Sequence, residues 1–137
     1  MKKKKKGLAI GNSDFKEIIQ ENGYYVDKTK FIEDLLEDLS KVKLFTRPRR
    51  FGKTLNLSML KYFFDVRNAE ENRKLFDNLY ISKSEYMENQ GQNPVILISL
   101  RNAEAENWED SFFNIKNLIS SLYDNFEYIS SNLKKRD

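Results

Sequence analysis

The chain has no cysteine and no histidine. The first absence excludes disulfides and thiolate metal sites. The second excludes Ser-His-Asp and Cys-His catalysis and His-ligated zinc. Carboxylate-bound Mg²⁺ remains open. No apolar run approaches the ~20 residues that span a bilayer. The basic N-terminus has no apolar segment after it, so it does not read as a secretory signal. A soluble, cytoplasmic protein with no membrane partner is the expectation. Glycine and proline are also sparse, at 5 and 2 in 137 residues, so each break in the pattern carries information. The length fits one domain.

Charge is abundant but local. Lys and Arg total 24 against 21 Asp and Glu, a net +3. The run Lys2, Lys3, Lys4, Lys5, Lys6 accounts for the excess, and the rest is close to neutral. Residues 1–7 read as a basic disordered tail, able to add salt-sensitive attraction to polyanions. Net charge by itself does not argue for a nucleic-acid partner.

The periodicities alternate between helix and strand. Asp14 and Glu17 have capping-box spacing at the start of a short helix ending near Gln20. Phe31, Ile32, Leu35, Leu36 and Leu39 form one helical stripe over residues 28–39, with Asp27 placed as N-cap. Residues 42–46 read as a strand, halted by Pro48. A helix over residues 52–64 is apolar nearly all round and reads as buried on more than one side. A helical turn is expected near residues 70–76, and a loop over 90–94. Residues 95–100 form a β-branched run that reads as a buried strand. From Trp108 to Leu133, apolar residues at Phe112, Ile115, Ile119, Leu122, Phe126, Ile129 and Leu133 repeat at alternating steps of three and four. That pattern is a heptad seam, or a core helix widened by Leu118 and Tyr123. Strands alternating with helices place the chain in the α/β class.

The chemistry concentrates at Arg47, Pro48, Arg49, Arg50, Phe51, Gly52, Lys53 and Thr54. Gly-Lys-Thr between a strand and a helix is the arrangement that holds phosphates. The helix start offers free N–H groups and a partial positive charge. Gly52 lets the backbone approach without a Cβ. Lys53 reaches the phosphates as a point charge, and the Thr54 hydroxyl can sit on Mg²⁺. Arg47 stands where the general motif has its first glycine, and Pro48 has no N–H to donate. The bland alternative is a strand–turn–helix junction with a surface lysine.

The run from Arg47 to Leu55 resembles the phosphate loop of the bacterial AAA-ATPase-like family, in which this arginine typically replaces the first glycine. Residues 10–15 with 24–29 resemble that family's N-terminal signature. Residues 75–81 and 94–96 resemble the stretch after the loop. The resemblance implies ATP with Mg²⁺ as ligands. It also implies a partial P-loop NTPase α/β/α core of about three strands with helices on both faces, spanning residues 8–137 and truncated. Many members carry a C-terminal nuclease-like domain, which would be a partner missing here. The implied nucleotide contacts are Arg49, Arg50, Phe51, Gly52, Lys53, Thr54 and Leu55, with Tyr25 or Val26 against the base. Asp27 reads equally as a helix cap or a ligand contact. Arg49 and Arg50 read as loop scaffold or as phosphate contacts.

Hydrolysis needs an acid at the end of an apolar strand. The strand after residue 94 ends in Ser99, Leu100 and Arg101, and Glu104 and Glu106 follow too late. No catalytic residue is assigned. The resemblance places the acidic strand beyond Asp137. A thin sheet would leave the helix from Trp108 onward partly uncovered, so an apolar patch and self-association through it are expected. The competing reading is a non-enzymatic nucleic-acid- or protein-binding module using the lysine tail, Arg47, Arg49, Arg50 and the last helix. The basic stretches lack the aromatic interleaving that nucleic-acid platforms use, Phe51 excepted.

Overall fold

The computed structural model describes residues 7–8 and 10–129. The expected lysine tail over residues 2–6 and the last residues, 130–133, of the helical pattern expected from Trp108 to Leu133 lie outside these described residues. The chain divides into two units at residues 95 and 96.

The first unit is built from helices. α1 (Phe15–Gln20) starts at Asp14, whose side chain accepts from the Glu17 N–H at 3.1 Å. The expected reciprocal half of the capping box is absent. Glu17 accepts from the Asn12 side chain at 2.9 Å, and Asn12 in turn accepts from the Asp14 N–H. α2 (Lys30–Glu37) is shorter than the expected 28–39 and has Thr29, not Asp27, at its N-cap, because the Asp27 side chain accepts from the Thr29 N–H at 2.8 Å and delays the first turn. α3 (Lys53–Phe64) runs where its sequence pattern places it, and α4 (Ala69–Arg73) continues into a 3-10 turn at Lys74–Phe76. Two further 3-10 turns, Tyr80–Lys83 and Glu85–Asn89, close the unit.

The core is where these helices meet. Phe15, Ile32, Met59, Phe63, Phe76 and Ile81 are fully buried. The Phe76 ring stacks on Phe15 at 5.1 Å and meets Phe63 edge-on at 5.3 Å. Such pairs add ~0.5–1.5 kcal/mol each to the area they bury. Polar bonds then fix the helices in register. The Asp14 carboxylate accepts from the Ser58 and Tyr62 hydroxyls at 3.2 and 3.1 Å, and Ser58 accepts from the Phe15 N–H. Buried Thr29 accepts from the Ile81 N–H at 3.1 Å. Past the end of α3, Gly91 and Asn93 donate their N–H groups to the carbonyls of Phe63 and Phe64.

The α/β expectation fails. Among the described residues there is no sheet, only isolated bridges at Gly7 with Gly23 and at Asp65 with Asn93. The chain is therefore not a partial α/β/α core of three strands. Residues 42–46 and 95–99 have strand composition but take no regular secondary structure, and no strand pairs with them. Extended backbone becomes a sheet only when a second strand takes its N–H and C=O groups. Val42 and Leu44 stay largely exposed, as do Ile96 and Ile98.

The second unit holds a 3-10 turn at Leu100–Asn102 and α5 (Trp108–Asn125). Asn107 caps α5 by accepting from the Asp110 N–H at 2.8 Å. No residue of α5 is buried, so the expected apolar face is exposed. Ile96, Ile98, Ile119, Leu122, Tyr123 and Phe126 line an open groove of about 700 Å³ within this unit. No helix among the described residues is long and apolar enough to cross a membrane.

Candidate functional site

The loop before α3 is held in an unusual backbone shape. Gly52 is the N-cap of α3 with φ 71° and ψ 18°, and its side offers the helix no capping bond. A Cβ there would meet nothing within 4 Å, so the need for glycine is conformational rather than steric. Arg50, two residues earlier, also has a positive φ of 67°. A non-glycine residue in this region costs about 1–2 kcal/mol. Left-handed residues in a turn tilt successive N–H groups inward, which makes a concavity suited to anions. The Asn56 N–H is bonded to the Gly52 carbonyl at 2.9 Å. The N–H groups of Lys53, Thr54 and Leu55, ahead of it, have no intrahelical acceptor.

Lys53 occupies the first position of α3 and folds back across the loop. Its Nζ donates to the Arg47 carbonyl and, at 3.3 Å, to the Pro48 carbonyl. The ammonium thus closes a ring over the residues that precede the helix. These carbonyls take the lysine while leaving it exposed. A phosphate, with full negative charge, is a stronger partner for it than a neutral carbonyl.

Beside this ring is a pocket of about 600 Å³, within the usual size range for small-molecule sites. Phe31, Phe45, Phe51, Leu57 and Leu60 give it an apolar wall. Lys28, Lys30, Arg47 and Lys53 bring positive charge, and Asp27 and Asp34 bring negative charge.

The residues singled out in the sequence fall into three groups. Phe51 and Lys53 line the pocket. Arg49, Arg50 and Thr54 are exposed beside them without lining it, as is Gly52, while Leu55 packs against the core. Tyr25 and Val26 do not line the pocket. The Tyr25 ring meets Phe15 edge-on at 5.2 Å and its hydroxyl donates to the Met59 sulfur at 3.3 Å. Burial pushes that phenol up to about 12, which is the signature of a core tyrosine. Val26 is exposed.

Asp27 has a structural role. One carboxylate oxygen accepts from the Thr29 N–H and hydroxyl at 2.8 and 2.7 Å, and the other accepts from the Tyr80 N–H at 2.7 Å. Burial raises its pKa, but the Thr29 and Tyr80 bonds outweigh that and hold it below the ordinary carboxylate value. It braces the start of α2 against the turn at Tyr80. Phe31, Phe45 and Asp34 are pocket residues that periodicity did not single out for function. Phe31 counted as one of a core stripe, and Phe45 as part of a strand. Their joint placement depends on how α2 meets the loop, which no local pattern encodes.

Thr54 is the one hydroxyl of the motif that can meet a Mg²⁺ carried in by phosphates. An exposed donor at a helix start fits that role, because Mg²⁺ keeps most of its waters and takes few protein ligands. Among the described residues no group of three or more acidic side chains converges on a metal site. Ser99, ahead of the turn at Leu100–Asn102, accepts from the Arg101 N–H at 3.4 Å and so caps that turn.

A family model described as Predicted AAA-ATPase matches residues 9–137. No curated protein matches the chain, and no solved structure matches it.

Proposed function

The chain belongs to the AAA-ATPase-like family, and from that premise we propose that its loop at residues 47–54 is a Walker A-type phosphate loop that binds ATP with Mg²⁺. The observation that carries the reading is Lys53. It stands at the head of α3, bridges back to the Arg47 and Pro48 carbonyls, and borders a pocket of about 600 Å³.

Each part has a task. The unpaired N–H groups at the head of α3, with the helix dipole behind them, face the β- and γ-phosphates. Lys53 exchanges its carbonyl partners for phosphate oxygens. Thr54 supplies one oxygen to the metal that the phosphates carry. Gly52 and Arg50 provide the left-handed turns that aim the N–H groups. Arg47 occupies the usual first-glycine position, where its backbone carbonyl serves as the anchor for Lys53.

Binding is the proposed activity. No hydrolytic step is proposed. The test is thermal unfolding with and without ATP and Mg²⁺. A ligand at one hundred times its Kd stabilises by ~2.7 kcal/mol. A unit of this size then shifts its Tm by roughly 10 °C or more. Lys53→Ala should abolish the shift while leaving the ligand-free Tm in place, since Lys53 is exposed. A wild-type chain with no shift at millimolar Mg²⁺–ATP would overturn the reading.

A further inference from the structure

The phosphate reading uses one end of the pocket and leaves its aromatic wall without a task. Phe31, on α2, and Phe45, in the segment after it, meet edge to face with centroids 5.0 Å apart and planes at 72°. Phe51 lines the same pocket from the loop. Phe45 is 43% exposed and Phe51 is 62% exposed. Single exposed aromatics are ordinary on a protein surface. Three that share one pocket with a phosphate-binding lysine are not scattered. They form an apolar surface beside an anion site.

Asp34 lines the same pocket. Asp27 spends both oxygens on Thr29 and Tyr80. The Asp34 carboxylate, by contrast, has no hydrogen bond or ion pair among the described residues. An ionised carboxylate only accepts. It selects a ligand that presents an N–H donor at that place. A flat ring bearing an amino group, tethered to phosphates, has these features together.

We propose that the aromatic end of the pocket is a nucleobase subsite, in which the base stacks on Phe51 beside the Phe31–Phe45 pair and its exocyclic amino group donates to Asp34. This rests on the phosphate reading. It moves the base from Tyr25 and Val26, where the family resemblance put it, to residues that share a cavity with Lys53. Phe51 then has two functions. Its backbone belongs to the phosphate loop, and its ring belongs to the base.

Calorimetric titration of the full chain with three Mg²⁺-bound probes separates the ends. The probes are ATP, tripolyphosphate, and purine riboside triphosphate, which lacks the amino group. Wild type should bind ATP at least ~10-fold more tightly than tripolyphosphate, as expected for one stacked base. Phe51→Ala should bring that ratio close to one, and Phe51→Trp should restore it. Both substitutions fall at an exposed position, and a ligand-free melt checks the fold. Asp34→Ala removes a negative charge and strengthens every phosphate ligand, so the readout is again a ratio. ATP should exceed purine riboside triphosphate by ~5-fold or more in wild type and match it in the variant. Equal wild-type binding of ATP and tripolyphosphate would overturn the base subsite and leave the phosphate loop standing. Binding of neither would overturn both. A ratio that survives Phe51→Ala or Asp34→Ala would overturn the placement of the base.

Discussion

Gly91 and Gly52 have the same φ of 71° but different surroundings, and the contrast makes a quantitative test of the first unit. At Gly91 a Cβ would lie 2.4 Å from the Cβ of Ala69 and 3.4 Å from its Cα. Neither atom can rotate away, because both are fixed to the backbone at the head of α4. The Gly91 N–H is also bonded to the Phe63 carbonyl at 2.8 Å, so the segment cannot retreat without breaking its hold on α3. Gly91→Ala therefore meets two penalties. The left-handed backbone costs about 1–2 kcal/mol with a Cβ present. Overpacking adds about 1–3 kcal/mol. The expected loss is about 2–5 kcal/mol, against a typical total of about 5–15 kcal/mol. Gly52→Ala meets only the first penalty, because its Cβ would enter open space. Urea unfolding followed by far-ultraviolet circular dichroism, without nucleotide, measures both. The double variant Gly91→Ala with Ala69→Gly should recover part of the loss, since it removes the collision and retains the left-handed strain. Equal losses for Gly91→Ala and Gly52→Ala would refute the packing of residue 91 against α4.

Asp14 ties α1 to α3, and its removal should register in two ways. Asp14→Ala loses the bond to the Glu17 N–H and leaves the Ser58 and Tyr62 hydroxyls without their acceptor, for about 1–3 kcal/mol by denaturant titration. Burial and the Asp14 carboxylate hold the Tyr62 phenol up at about 12. The same variant should lower that pKa in an ultraviolet titration, and an unchanged value would disprove the contact. Asp27 sets an acid limb of stability. Its folded pKa lies below the ordinary carboxylate value, so its contribution is complete above the unfolded pKa of about 3.9 and is lost as the pH falls through the folded value. Asp27→Asn should be less stable than wild type at neutral pH and lose less on going from pH 5 to pH 2. Parallel pH profiles would argue against the Thr29 and Tyr80 bonds.

Local signals read well wherever their cause is local. The Asp14 cap, the span of α3 and the start of α5 at Trp108 follow from capping residues and apolar spacing within a few residues of each other. The three 3-10 turns over residues 74–89 carried a weaker pattern, and only the first was anticipated, as the end of a helical stretch. Asp27 was expected as the cap of α2, a position that Thr29 holds, and its role as a brace was not legible, because Tyr80 lies far from it along the chain. The strands were misjudged for a related reason. Residues 42–46 and 95–99 have strand composition but form no strand, because a sheet is a relation between segments, and composition describes one segment at a time.

What the sequence determined by itself is the chemistry it can and cannot perform. The absence of Cys and His removes whole classes of mechanism, residues 9–137 match the family model, and the run from Arg47 to Leu55 holds a Gly-Lys-Thr sequence. Those facts depend on residue identity and near-neighbour spacing, which are written in the chain. Only the tertiary structure decided that the described residues of the first unit pack as helices without a sheet, that Tyr25 faces the core, and that Phe31, Phe45 and Asp34 share a pocket with Lys53. Each of these is a meeting of distant segments. It is settled by which apolar surfaces bury one another and which polar groups find partners, and no local pattern records that outcome.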